Sequence, residues 1–177
     1  MNETIPQPKR MTAIISAKKA NDIYGSIAEI LVAHLFRELG FKVHHSGMEY
    51  AFPALGNLQK LNADKDIANH IRHYPDFILQ RKSDKKVFLA EVKYSSKNTY
   101  RLEEQYEKQY GDYPFPGAYI IFVGRDRIVA KKVSEIKANG NKFNLISEIK
   151  DFECHTADKI KIIKKYLELA HHIFTTL

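Results

Sequence analysis

The stretch VFLAEVKYSS, Val87 to Ser96, is apolar and β-branched enough for a buried strand, yet it carries Glu91 and Lys93 two positions apart. Side chains alternate between the faces of a strand, so residues i and i+2 share one side about 6.6–7 Å apart. Glu91 and Lys93 therefore point one way, and Ala90, Val92 and Tyr94 the other. Upstream, Pro75-Asp76 opens a second apolar run, DFILQ (76–80), and the polar RKSDKK between the runs has the composition of a turn. Segments 76–80 and 86–95 are thus expected to form an antiparallel hairpin.

If the two strands pair in register, Asp76 lies beside Glu91. Two close carboxylates repel, and burying them is costly unless a cation lies between them. Mg²⁺ fits this need, because one or two carboxylates plus waters and phosphate oxygens commonly hold it. Lys93, at the rim, is placed to orient or help deprotonate an attacking water, or to neutralise charge growing on a phosphate. The competing reading is an ordinary Glu91–Lys93 ion pair at a solvated sheet edge.

Outward from the hairpin, the chain reads as α-β-β-β-α-β-β-α, an α/β (α+β) arrangement with a mixed central sheet flanked by helices. Residues 1–12, with Pro6 and Pro8, are a loose N-terminal arm. A helix is predicted from about Ser16 to Leu39, with Gly40 as its stop. Ile23, Ile27, Ile30, Leu31, His34 and Leu35 recur at helical spacing and mark its main buried face. Glu29 aligns with Gly25, Val32 and Phe36 on a second, mostly apolar line. A Glu there needs a partner, either a Lys or Arg or the site that Asp76 and Glu91 form. Gly25, one turn earlier, leaves room for a close approach.

Residues 41–45 (FKVHH) form a first strand, and 46–74 is an insertion between the first and second strands, broken by Gly47, Pro53 and Gly56. A connection of that length is usually functional or mobile; this one can clamp a substrate or form a dimer contact. Further on, 99–110 is a polar helix, 118–124 a buried strand and RIVAKKVSEI a strand or a strand running into a helix. Residues 158–174 form a final amphipathic helix with Ile160, Ile163, Leu167, Ala170 and Phe174 on one face.

At 177 residues the chain suits one domain with a real core. No apolar run approaches a membrane span, and the N-terminus lacks a signal-like apolar run, so a cytoplasmic protein without a membrane partner is expected. Cys154 is the single cysteine, which excludes an intrachain disulfide framework and CxxC-type metal sites. The 28 Lys and Arg against 21 Asp and Glu give a net charge of +7. The pI near 9.3 favours a polyanion partner, nucleic acid being the commonest.

Gly25-x-x-x-Glu29, Pro75-Asp76 and Glu91-Val92-Lys93, in that order, resemble the PD-(D/E)XK nuclease superfamily with its restriction-endonuclease-like αβββαβ core, here over about 16–123. The GxxxE element and the following Gln-bearing helix are similar to the RecB-like and Holliday-junction-resolvase-like branches. The resemblance implies Mg²⁺ or Mn²⁺ held by Asp76, Glu91 and the Val92 carbonyl, with Lys93 assisting the water. It implies that Glu29 acts directly or through water, that Gln105 is a further active-site residue, and that the reaction is phosphodiester hydrolysis by a DNA endonuclease. RecB-like members carry Gln-xxx-Tyr; here Gln105 is followed by Gln109 and then Tyr110, one place late. The iron–sulfur members need four cysteines and are excluded.

Arg101, Gln105 and Lys108 fall on one face of the 99–110 helix and, with Lys97, can hold backbone phosphates of duplex or branched DNA; otherwise they are a solvated face. A homodimer would let one site per chain cut both strands. His70 and His73 have an i,i+3 metal spacing without a completing ligand set, and His44 or His45 can line the cleft. Tyr94, Tyr100, Tyr106, Tyr110 and Tyr113 can stack on bases or cap a core. Cys154 lacks a catalytic context. The rival readings are a catalytically silent nucleic-acid-binding module and a protein-interaction domain that keeps the nuclease fold.

Overall fold

Helix α1 (Thr12–Glu38) ends where Gly40 takes φ +96°, the left-handed stop its position predicts. The computed structural model describes residues 12–47, 70, 73–95, 113–136 and 143–176, with side chains from residue 22 onward. After α1 come β1 (Phe41–His45), β2 (Phe77–Arg81), β3 (Val87–Tyr94), β4 (Tyr119–Val123) and β5 (Ile128–Lys132). They are followed by a one-turn α2 (Val133–Ile136), β6 (Asn144–Leu145), two 3₁₀ turns (Ile146–Glu148 and Lys150–Phe152) and α3 (Ala157–Thr176). RIVAKKVSEI is thus a strand running into a helix.

The strands form one six-stranded sheet in the order β1-β2-β3-β4-β5-β6. Only β3 and β4 pair in parallel; the other four neighbours are antiparallel. A parallel pair requires a crossover of a dozen or more residues, and the chain between Tyr94 and Tyr119 supplies it. The helix expected at 99–110 and most of the 46–74 insertion lie outside the described residues. The fold is therefore mixed α/β, as anticipated. Among the described residues, no helix is long and apolar enough to cross a membrane.

Burial divides by strand parity. Phe77, Leu79, Phe88, Ala90 and Val92 face the core shared with α1 and α3. Leu89 faces the second cluster, with Tyr113, Phe115, Ile120, Phe122 and Phe143. All five residues of β4 are buried, because both faces of the sheet's centre are covered. Phe152 knits the first core: its ring centroid lies 4.6–6.2 Å from those of Phe36, Phe41, Phe88 and Tyr119.

The buried face of α1 is turned from the expected one. Ala28, Leu31, Val32, Leu35, Phe36 and Leu39 are buried, so the line through Val32 and Phe36 is the core line. Ile23 and Ile30 are each 57% exposed, and His34 is exposed. The apolar stripe of α1 is wider than the sheet can cover, and its outer half borders α3 across a groove of about 390 Å³ lined by Ile27, Ile30, Leu169 and Ile173.

The RKSDKK turn begins later than its composition suggests, because Arg81 still belongs to β2. Its nearly buried guanidinium binds Asp84 at 2.8 and 2.5 Å, Glu153 at 2.8 Å and the Asp151 carbonyl at 2.9 Å. Arg81 thereby ties the hairpin's closed end to the second 3₁₀ turn. Nearby, the Asp151 carboxylate collects Lys86 (2.9 Å), Lys132 (2.6 Å) and the Tyr119 hydroxyl (2.7 Å).

Candidate active site

The register of the central hairpin decides which side chains meet. β2 and β3 pair Phe77 with Ala90 and Ile78 with Leu89; one step further along the same register, Asp76 stands opposite Glu91. Pro75 has no N–H to give a ladder, and Ser46, at the end of β1, closes the gap. Its N–H donates to the Asp76 carbonyl (2.9 Å) and its hydroxyl to the Pro75 carbonyl (2.8 Å). Pro75-Asp76 is thus held at the mouth of the strand pair.

The Val92 N–H donates to Asp76 Oδ2 at 2.6 Å. Backbone N–H and C=O of one strand residue point to the same side, so the Val92 carbonyl faces the Asp76 edge too. Ser95, of opposite parity, donates to the Val123 carbonyl on the β4 side, in keeping with this alternation. Asp76, Glu91 and the Val92 carbonyl are therefore neighbours at one edge of β3.

Glu91 is 9% exposed, and Lys93 Nζ lies 2.5 Å from its Oε1. The ion pair weighed from sequence is present, but on a central strand and not at a solvated sheet edge. Lys93 keeps a third of its side chain exposed, as a rim position requires. The Asp76 carboxyl is pushed up to about 7, first by burial, then by the Glu91 charge, with a smaller push from Glu29. The Val92 N–H and Lys93 oppose this without cancelling it. Glu29, half-buried on α1, thus acts on the same cluster through Asp76. Among the described residues, a Cβ at Gly25 would meet no atom within 4 Å, so the space beside this glycine is open.

Tyr113 joins the cluster as a residue the sequence left between stacking and core roles. It is 7% exposed, and burial together with the charges of Glu91 and Asp76 holds its hydroxyl protonated far above the ordinary tyrosine range. Ser46 carried no signal in the sequence, since its role appears only once β1 and Pro75 are adjacent.

His73 and His70 stand edge-on to Tyr113 (5.9 Å) and Phe115 (6.2 Å), as parts of an aromatic group beside the site. His45 lies against Phe77 (4.8 Å) at the end of β1. Tyr94 faces away from Glu91 and packs on Tyr24 and Phe174. Cys154 is buried, its thiol pushed up to about 11 by burial. Lys97, Arg101, Gln105 and Lys108 lie outside the described residues.

Among the described residues, no group of three or more His, Cys, Asp or Glu side chains is arranged to hold a metal ion. The donor set at Asp76 and Glu91 is smaller: two carboxylates and one carbonyl, all oxygen. That suits a hard cation such as Mg²⁺, which keeps several of its waters, and a cation there would offset the Glu91 charge that adds to burial in lifting Asp76. Comparison of the chain with family models, with curated proteins and with solved structures returned no match.

Proposed function

We propose that this chain is a metal-dependent DNA endonuclease built on the αβββαβ core of the PD-(D/E)XK, restriction-endonuclease-like superfamily. The observation that carries the reading is the register of Asp76 against Glu91, with the Asp76 carboxylate on the Val92 N–H and Lys93 on the same face. The element order and the net charge of +7 support it.

In this reading Asp76, Glu91 and the Val92 carbonyl would hold Mg²⁺ or Mn²⁺. Such an ion lowers the pKa of a bound water and offsets charge on phosphate oxygens. Lys93 exchanges its contact with Glu91 for one with the attacking water or a phosphate oxygen, which its exposed rim position allows. Glu29 adds negative charge beside Asp76 and strengthens the site's hold on a cation. The Tyr113 hydroxyl, kept protonated beside Glu91, can donate to that carboxylate and so orient it. DNA as partner, a homodimeric assembly and a cytoplasmic setting belong to the same reading.

A second reading has its own support. The closed Lys93–Glu91 pair is also what a catalytically silent nucleic-acid-binding module would retain. Plasmid and branched-DNA cleavage with Mg²⁺, Mn²⁺ or EDTA separates the two. The nuclease reading expects metal-dependent cutting that is lost in Asp76→Ala and Lys93→Ala. Wild type that binds DNA but cuts no substrate would favour the silent module.

A further inference from the structure

The strand pairing carries the face of Glu91 and Lys93 on to the end of the sheet. Lys93 pairs with Phe122, and Phe122 with Val129. One same-face step further, about 7 Å along the strands, the same registers set Ser95, Gly124 and Arg127 in a row. Two hydrogen bonds fix that row: the Ser95 N–H donates to the Val123 carbonyl (3.0 Å) and the Gly124 N–H to the Arg127 carbonyl (2.9 Å). Residues opposite each other on paired strands share a face, so the Arg127 side chain lies on the side of Glu91 and Lys93. Arg127 is exposed at the β4–β5 turn. Asp126 of the same turn binds His171 of α3 at 2.6 Å and anchors the turn there.

Gly124 shapes the row. It does not take the positive φ that calls for a glycine, so its missing side chain matters for space. A Cβ there would lie 3.3 Å from the Ser95 carbonyl oxygen and 3.5 Å from Arg127 Cγ. Opposed Cβ atoms normally stand about 4.5–5.5 Å apart, so the Arg127 stem leans over Gly124 toward the exit of β3. That exit holds Ser95, one row beyond Lys93. Arg125, two residues earlier, goes the other way. Burial raises the Tyr94 hydroxyl and the Arg125 charge opposes it, and Tyr94 packs on Tyr24 and Phe174, on the α1 and α3 side. The two arginines of one turn thus serve opposite faces of the sheet.

We propose that Arg127 holds a backbone phosphate of the DNA a few nucleotides from the scissile one, so that the substrate strand runs from Lys93 to the β4–β5 turn. The inference rests on the nuclease reading above, which sets the scissile phosphate at Asp76, Glu91 and Lys93. The Arg127 row lies about 7 Å beyond Lys93 and about 14 Å beyond Glu91. A duplex strand rises ~3.4 Å per nucleotide along its axis, so the contacted phosphate is about two to four nucleotides away. The planar guanidinium fork matches phosphate oxygens. Loss of one such charge-assisted contact should lower affinity about 10-fold. It should also reduce the slope of log affinity against log salt by about 1.

The test compares Arg127→Ala with Arg125→Ala, which remove the same charge from the same exposed turn. Anisotropy titrations of a fluorescein-labelled DNA duplex with the full chain, in EDTA and at several salt concentrations, give affinity and salt slope together. Arg127→Ala should show both losses stated above, and Arg125→Ala should bind like wild type with its slope unchanged. Arg127→Lys should restore the slope but only part of the affinity, since a point charge replaces the fork. Gly124→Ala, which crowds the Arg127 stem, should weaken binding with every charge kept. Equal losses in the two alanine variants, no loss in Arg127→Ala, or a wild type that binds no DNA would overturn the contact. Cleavage with Mg²⁺ keeps the two ideas apart. Cutting with a KM that Arg127→Ala leaves unchanged removes the contact alone. Wild type that binds without cutting, with the Arg127→Ala losses still present, removes the nuclease reading alone.

Discussion

Replacing Asp76 with Asn should make the metal-free protein more stable at neutral pH, by an amount that grows with pH. The Asp76 carboxyl sits at about 7 in the fold against an ordinary 3.8. Below pH 4 both folded and unfolded chains carry the proton and the group is neutral to stability. Between about pH 4 and 7 the fold keeps a proton that the unfolded chain releases, so stability falls as pH rises. Above 7 the full cost is present: a displacement of about 3 pH units at 1.36 kcal/mol each gives ~4 kcal/mol as an upper figure. Asn keeps a carbonyl to accept the Val92 N–H and carries no charge toward Glu91. Urea denaturation of both proteins in EDTA at pH 4.5, 6 and 8 reads the difference directly. It should be small at pH 4.5 and reach a few kcal/mol in favour of Asp76→Asn at pH 8. Added Mg²⁺ at pH 8 should then stabilise the wild type and not the variant. A constant offset at every pH, or a variant less stable at pH 8, would refute the reasoning.

Other expectations follow from the same geometry. Arg81→Ala strips a nearly buried guanidinium from Asp84, Glu153 and the Asp151 carbonyl and should cost about 3 kcal/mol by chemical denaturation; Arg81→Lys should recover only part, since a point charge cannot replace the bidentate fork. Phe152→Ala empties the junction of four rings and should cost ~3–5 kcal/mol, seen as a lower denaturation midpoint. Tyr113→Phe removes the hydroxyl beside Glu91; calorimetric titration with Mn²⁺ should show affinity weakened about 10-fold or more with the fold unchanged. Asp151 is held well below the carboxylate range by Lys132, Tyr119 and Lys86. The stability this provides is present above pH 4 and lost as acid protonates it, so Asp151→Asn should flatten the acid limb of a pH–stability profile.

The sheet was legible in the sequence because its strands obey local rules. Alternation in VFLAEVKYSS set which residues face together, and Pro75 with the polar turn framed the hairpin. Gly40 stopped α1 for a backbone reason visible in one residue. The burial of α1 was misread because Ile23, Ile30 and His34 also fit a helical stripe, and only the packing of the sheet and α3 decides which half of a broad stripe is covered. Arg81 looked like a turn residue by composition; its burial depends on Asp151 and Glu153, seventy residues away, which no local pattern encodes. The juxtaposition of Asp76, Glu91 and Lys93 was legible because strand parity is a local property. Ser46 acquires its role from the pairing of β1 with β2, a long-range contact. Tyr113 is brought beside Glu91 by the chain that returns from β3 to β4, a placement that no local pattern encodes.

The central claim is that Asp76 and Glu91 share a divalent cation with the Val92 carbonyl. A crystal grown with Mn²⁺, with anomalous data collected at the manganese edge, tests it most directly. The account predicts one strong peak within about 2.0–2.6 Å of an oxygen of each carboxylate and of the Val92 carbonyl, with Lys93 drawn off Glu91, and no peak there in Asp76→Asn. A well-ordered site without manganese, Lys93 still paired to Glu91, would contradict it.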